Sequence, residues 1–337
     1  MSTNGSSGSL PTPMPSVGQT LGSWRPPARS GTQARQPRFE RVSEIFERVK
    51  MAVSKRTAMP ELAFGIPALD ELTRGILRGK LTVLAGRSSQ GKTSMALQTA
   101  WHLADQGKTV AYLTLEDDRE ELVERLWCHV AGVDNQALRC GKLPPDDPAL
   151  LTVFQRVKLL ALDEYGYNID EIAHVVQTLQ PMPDAIVVDY AQMIDDDQAE
   201  SEYRALSLFV RHLKLFAEQM EIAVILCSQI NRQGAQEGRP SLHHLARCGR
   251  LEELANLVLL LYWPHGMKDS SFDYQSGPPV VGFPEGGCPS DYFELAVEKN
   301  KTGPKGVVRL QFIGSHYRFA PWVVPVEDPE SQEAWHG

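Results

Sequence analysis

The sequence predicts an α/β fold with a mainly parallel central sheet flanked by helices and a C-terminal β-hairpin. Three observations carry this. Short apolar runs alternate with helix-length amphipathic stretches, the pattern of parallel strands covered on both faces. The first run, Leu81–Ala85, leads into Gly86-Arg87-Ser88-Ser89-Gln90-Gly91-Lys92-Thr93, a GxxxxGK[ST] phosphate loop. Two last runs, Phe293–Val297 and Gly306–Phe312, flank a short basic segment in the manner of a hairpin.

Taken in order, residues 1–38 are rich in Ser, Gly, Pro, Thr and Gln and carry Arg25, Arg29, Arg35 and Arg38 without an acid, so they read as a disordered basic tail. Such a tail serves either as a plain linker or as weak electrostatic help in holding nucleic acid. In the segment 39–58, Phe39, Val42, Ile45, Phe46, Val49 and Val53 recur at spacings of three and four, which predicts a helix to about Lys55 with one apolar stripe. A stripe outside the main domain needs a partner surface, and a neighbouring subunit is a candidate. The main domain runs over 59–325, with strand-like runs at Leu81–Ala85, Val110–Leu115, Ala185–Val188, Ala223–Cys227 and Val258–Tyr262. Residues 264–289 are Gly/Pro/Ser-rich and read as a loop insertion, and residues 326–337 as an acidic tail.

Polar residues follow these runs: Gly86, Glu116, Asp189, and Ser228 with Gln229. In open α/β sheets ligands sit beyond the carboxyl ends of the strands, so these groups are expected to converge on one crevice. The phosphate loop stands between a strand and the helical pattern Ser94–Asp105, the context its chemistry needs. Glycines let backbone N–H groups and the helix N-terminus face a phosphate, Lys92 neutralises its oxygens, and Thr93 offers a hydroxyl to Mg²⁺. The predicted ligand is therefore ATP with Mg²⁺, contacted by residues 86–94 from Gly86 to Ser94. Ile186-Val187-Val188-Asp189 is a strand ending in an acid, the arrangement that sets a carboxylate beside the metal's water shell. Glu116 is the candidate for polarising the attacking water. Acids before the amphipathic stretch Arg119–Val130 also cap helices, and that role falls to Asp117 or Asp118.

Composition bounds the rest. Among 337 residues, 34 Lys+Arg against 42 Asp+Glu give a net charge of −8, which sets aside a wholly basic binder without excluding nucleic acid. With 42% hydrophobic and 23% charged residues, a fully disordered chain is excluded. No apolar run is long enough to span a membrane and the amino terminus lacks a secretory h-region, so a cytoplasmic protein is expected. The five cysteines, Cys128, Cys140, Cys227, Cys248 and Cys288, form no CxxC pair, against both a disulfide framework and a zinc site. His243 and His244 lack partners at ligand spacing and read as polar surface residues.

Six segments in order carry a resemblance: Phe64-Gly65-Ile66-Pro67-Ala68-Leu69-Asp70-Glu71-Leu72-Thr73-Arg74-Gly75, the phosphate loop, Thr114-Leu115-Glu116, VVDYAQMI from Val187, Cys227-Ser228-Gln229-Ile230-Asn231-Arg232, and Lys299-Asn300-Lys301-Thr302-Gly303-Pro304. From about residue 60 to 322 the chain resembles the carboxy-terminal motor domain of DnaB-type replicative helicases. That resemblance implies a RecA-like P-loop NTPase fold, a hexameric ring, and ATP-fuelled 5′→3′ movement on single-stranded DNA during replication. It implies Lys92 and Thr93 for phosphate and Mg²⁺, Glu116 as catalytic base, Asp189 as the metal-shell acid, and Gln229 as the sensor linking γ-phosphate to DNA. It also implies that Lys299 and Lys301 reach into a neighbour's ATP site. Lys301 stands where the family has an arginine finger, and a lysine cannot make the bidentate contact of guanidinium with phosphate.

The segment Leu245-Ala246-Arg247-Cys248-Gly249-Arg250-Leu251-Glu252-Glu253 is similar to the family's DNA loop LRESGxIEQ, with the cation moved by one position. Arg232, Arg247, Gly249 and Arg250 are the implied contacts to single-stranded DNA. The family's amino-terminal collar has no counterpart before Phe39, so a collarless ring docked through the 39–58 helix is expected, and the sequence names no loader or primase. The alternative is a RecA-like assembly or regulatory ATPase similar to RadA and KaiC, without unwinding.

Overall fold

The computed structural model describes residues 41–54, 57, 59–142, 148–162, 169–189, 202–230, 239–245, 249–264 and 290–323. Helix α1 (Val42–Ser54) leads to α2 (Pro67–Thr73), β1 (Leu81–Gly86), α3 (Lys92–Asp105), β2 (Thr109–Thr114), α4 (Arg119–Ala131) and α5 (Asn135–Arg139). There follow α6 (Pro148–Arg156), β3 (Lys158–Leu162), α7 (Ile169–Thr178), β4 (Ala185–Asp189), α8 (Glu202–Met220) and β5 (Ala223–Gln229). The chain then runs through α9 (Gly249–Leu254), β6 (Leu257–Tyr262), β7 (Tyr292–Asn300), β8 (Gly306–Ile313) and β9 (Arg318–Pro321).

Among the described residues one sheet forms, in the order β3, β2, β4, β5, β1, β6, β7, β8, β9. The strands from β3 to β6 are parallel, and β7, β8 and β9 add on antiparallel. Every residue of β1, β2, β4 and β6 is buried, which is why these strands read as unbroken apolar runs. One face packs under α3, whose Met95, Ala96, Leu97, Ala100, Leu103 and Ala104 join Tyr112, Val187 and Cys227 in the core. The alternate residues are also buried, and α8 packs along β1 and β5 with Phe209, Val210, Leu213 and Phe216 inside.

The parallel sheet, its helical layers and the β7–β8 hairpin are as the sequence predicts. Two strands are additional. β3 follows α6 almost without a break, so the amphipathic pattern of Leu150–Val157 runs into Lys158–Leu162 and hides the boundary. β9 is four residues long, carries Pro321 and pairs only with β8, the edge position a proline tolerates. The expected hairpin is therefore part of a three-stranded extension of the main sheet.

A side-chain amide ties the outer strand of that extension to α3. Gln98 Nε2 of α3 donates to the Phe319 carbonyl at 3.0 Å, and the Phe319 N–H donates to Gln98 Oε1 at 2.8 Å. The lead-in to β1 is clamped similarly: the buried Asp70 carboxylate accepts the N–H groups of Phe64 at 2.6 Å and Gly65 at 3.1 Å. Gly65 is held at φ +80°, and a Cβ there would lie 2.6 Å from His102 Cγ, so a larger residue is strained and must displace the His102 side chain.

The α1 stripe is solvent-exposed in the single chain, with Phe46 at 61% and Val42 at 82% exposure. Phe39, the 1–38 tail, residues 265–289 of the insertion and the 326–337 tail lie outside the described residues. No helix among the described residues is long and apolar enough to cross a membrane.

Candidate functional site

β1 ends at Gly86 and α3 starts at Lys92, so the loop between them delivers the amino end of a buried helix to the carboxyl edge of the sheet. Asp118 caps α4, accepting the Glu121 N–H at 2.7 Å, and Asp134 caps α5. The N-cap of α3 is Gly91 at φ +82° and no side chain caps it, which leaves first-turn N–H donors for an external acceptor. Both glycines of the loop are also closely packed. A Cβ on Gly91 would lie 3.0 Å from Phe319 Cζ, and one on Gly86 3.0 Å from the Leu261 carbonyl oxygen.

Lys92 Nζ curls back to donate to the Arg87 carbonyl at 2.8 Å, and Gln90 Oε1 faces the Arg87 N–H at 3.4 Å. Burial pushes the Lys92 ammonium below its ordinary value, while the Cys227 sulfur, Asp189 and Glu116 pull it back. A buried cation beside two carboxylates, under open N–H groups, is an anion cradle.

Sheet register brings the other predicted residues to the same edge. Gly86 pairs with Gln229, Thr114 with Asp189, and the Ile230 N–H donates to the Gly86 carbonyl at 3.2 Å. Glu116 lies just past β2, where the Leu115 N–H is tied to the Asp189 carbonyl at 2.7 Å. Burial raises the Glu116 pKa, with Asp117 and Asp189 adding to the rise and Lys92 and Arg125 opposing it. Of the two acids weighed for capping, Asp118 caps, while Asp117 pairs with Arg125 at 2.9 Å.

The donor set suits Mg²⁺ arriving with phosphates. Thr93 and Asp189 offer a hydroxyl and a carboxylate, and no cluster of three or more His, Cys, Asp or Glu forms a cage among the described residues. A small, strongly hydrated cation bound through one or two protein oxygens plus substrate phosphates needs no more.

The basic hairpin lies elsewhere. Leu257 pairs with both Thr82 of β1 and Asn300 of β7, so Asn300 is four residues and two strand spacings from Gly86. At ~3.3 Å per residue and ~4.8 Å per strand that is about 16 Å, and the turn carries Lys301 farther away. The Asn300 side chain builds this turn, donating to the Pro304 carbonyl at 3.0 Å and accepting from the Thr302 N–H at 3.1 Å. Lys301 stands exposed on it, while Lys299 Nζ donates to the carbonyls of Glu252 and Glu253 at the end of α9. A single chain cannot bring Lys299 or Lys301 to its own Lys92.

Of the implied DNA contacts, Gly249 begins α9 and Arg250 pairs with Glu253 at 2.8 Å. Arg232 and Arg247 lie outside the described residues. The described residues beside them meet: Ile230 and Leu245 form an isolated antiparallel bridge next to Gln229. His244 Nδ1 accepts the Ser241 N–H at 2.9 Å, which makes it a local cap.

The sequence model of the DnaB-like helicase C-terminal domain matches residues 62–321. The chain belongs to the DnaB-like helicase C-terminal domain family. It is 27% identical over 296 residues to the replicative DNA helicase DnaB of Geobacillus stearothermophilus, covering 83% of this chain and 62% of that protein. It is 26% identical over 302 residues to the replicative DNA helicase DnaC of Bacillus subtilis (strain 168), covering 86% and 63%. The chain thus spans less than two thirds of the length of these relatives. A solved DnaB-like replicative helicase shares the fold at TM-score 0.71 and 24% identity, over 84% of this chain and 69% of that one. A solved isolated ATPase domain is matched over 100% of its length and 85% of this chain, at TM-score 0.71 and 23% identity.

Three contacts in this DnaB-like domain are absent from the sequence reading. The Tyr112 hydroxyl donates to Asp189 Oδ2 at 2.7 Å, Arg125 sits 5.7 Å from the Tyr317 ring centroid, and Gln98 clamps Phe319. Only the first had a signal, a phenol inside an otherwise apolar strand that must find an acceptor.

Proposed function

We propose that this chain is an ATP-dependent motor of the DnaB type, moving 5′→3′ on single-stranded DNA as a hexameric ring and unwinding duplex during replication in the cytoplasm. The observation that carries the reading is the placement of two half-sites at opposite ends of one sheet. The phosphate loop, Glu116, Asp189 and Gln229 occupy the carboxyl edge, and Lys301 stands on a hydrogen-bonded turn at the other. Such a chain completes its site only against a neighbour, as a head-to-tail ring requires.

In this reading residues 86–94 bind the ATP phosphates through backbone N–H groups and Lys92, with Thr93 and Asp189 holding Mg²⁺. The metal neutralises charge on the phosphate oxygens. Glu116 takes a proton from the attacking water, its raised pKa suiting a base. Gln229 reports occupancy to the segments that leave the Ile230–Leu245 bridge, where Arg232, Arg247, Gly249 and Arg250 contact DNA phosphates. Lys301 supplies a cation to the neighbour's nucleotide, as a point charge. The helix within 39–58 docks its apolar stripe on the adjacent subunit, and 59–325 forms the motor.

The test is ATP hydrolysis with and without single-stranded DNA, unwinding of a forked duplex, and mass measurement of the assembly. DNA-stimulated turnover by a hexamer that separates strands is expected. Hydrolysis indifferent to single-stranded DNA would overturn the reading in favour of a RecA-like assembly or regulatory ATPase.

A further inference from the structure

Tyr112 lies in the middle of β2, fully buried, and its position in an apolar run suggests plain core packing. Its geometry says more. Tyr112 pairs with Val187 and Thr114 with Asp189, so the phenol and the carboxylate share one face of the sheet, two residues apart along the strands. That offset of ~6.6 Å is about the reach of a tyrosine side chain. The hydroxyl meets Asp189 Oδ2 at 2.7 Å, and Asp189 itself is only 3% exposed. From β5, the buried Cys227 lies near the same carboxylate, whose charge helps push its thiol pKa up. Of these two neighbours it is Tyr112 that makes the short hydrogen bond to Asp189.

A carboxylate at a strand end can rotate about its side-chain torsions, and an apolar residue at 112 would leave Oδ2 buried without a partner. We propose that Tyr112 is a positioning residue: its hydroxyl fixes one oxygen of Asp189 so that the carboxylate keeps a single orientation toward the divalent cation bound with the nucleotide. The inference rests on the assignment of Asp189 to the metal shell. Tyr112 itself touches neither metal nor nucleotide.

The experiment uses the full chain and the variants Tyr112→Phe, Tyr112→Met, Asp189→Asn and Tyr112→Phe/Asp189→Asn. Melting curves first fix a temperature at which all are folded. Binding of a fluorescent ADP analogue is then titrated with MgCl₂, and measured again in EDTA. Loss of a hydrogen bond to a charged group predicts a rise of about tenfold in the MgCl₂ concentration for half-maximal binding in Tyr112→Phe. Tyr112→Met should match it, and EDTA binding should stay within twofold of wild type. In the Asp189→Asn background Tyr112→Phe should add less than twofold. A shift in Asp189→Asn but none in either Tyr112 variant overturns the positioning role and leaves the Asp189 assignment standing. No shift in Asp189→Asn overturns the assignment itself, and a Tyr112→Phe effect equally large in EDTA reduces Tyr112 to a packing residue.

Discussion

Replacing His129 by leucine should remove an acid-sensitive weakness from the fold. His129 lies in the last turn of α4, and its Nδ1 is buried without a hydrogen-bond partner. Burial, with Arg318 nearby, lowers its pKa from the usual 6.5 to about 4. The unfolded chain therefore binds a proton between these values that the folded chain refuses, so this contribution to stability is present above pH ~6.5 and is lost as pH falls toward ~4. At 1.36 kcal/mol per unit the difference of roughly 2.5 units is ~3 kcal/mol, an upper figure because the ring is only partly buried. For a domain of this size that is about 6 °C in Tm at the lower end of the usual range. Thermal melts of wild type and His129→Leu from pH 4 to 8 read it directly. The two melting temperatures should converge toward neutral pH or favour the variant, and the variant should gain steadily on wild type below pH 6.5. Parallel curves across that range would refute the reasoning, because His129 would then titrate alike in both states.

Lys92→Ala should abolish hydrolysis with the fold intact by circular dichroism. Glu116→Gln should keep ATP binding but slow turnover at least ~100-fold. Because burial and Asp117 raise the Glu116 pKa above its ordinary 4.5, the wild-type rate should fall as pH drops through that raised value, and the limb should vanish in Glu116→Gln. Lys301→Ala should depress activity only in the assembly, so wild-type/mutant mixing should give a non-linear titration, while Lys301→Arg should raise turnover by restoring a bidentate phosphate contact. Gln98→Leu leaves the buried N–H and C=O of Phe319 unpaired and should cost about 2–3 kcal/mol, seen as a lower Tm and faster amide exchange at Phe319.

Much of this architecture is legible in the chain because the physics acts locally. Strands buried on both faces have no freedom to alternate, so β1, β2, β4, β5 and β6 announce themselves. A phosphate loop must combine a left-handed glycine, a lysine and a hydroxyl within eight residues. What depends on spatial neighbours is not legible. β2 and β4 are adjacent in the sheet but far apart in the chain, so nothing in Val110–Leu115 says that Tyr112 faces Asp189. The segment Phe64–Gly75 stands out as a motif, yet its reason is a carboxylate–backbone clamp and a glycine pressed on His102, visible only in the fold. Lys299 and Lys301 look equivalent in sequence, and the structure separates them. Lys299 is turned to the carbonyls of Glu252 and Glu253, where the negative end of a helix attracts an ammonium, while Lys301 is held outward by the Asn300 turn.

That separation bears on how the two ends of the sheet act together. The hairpin is fastened to α9 by Lys299 and to the start of β6 by the Lys301 N–H on the Asn256 carbonyl at 3.0 Å. β6 runs the length of the sheet beside β1, and Leu261 at its far end pairs with Gly86 and packs against it. The phosphate loop is thus joined to the exposed cation by one fully buried strand, a connection too well packed to stretch. Relative movement of the two ends of this strand within a chain is therefore resisted, and in the proposed ring a change at one ATP site would be passed on as a displacement of Lys301 against the next subunit. A ring built on this proposal would work by subunits shifting as bodies.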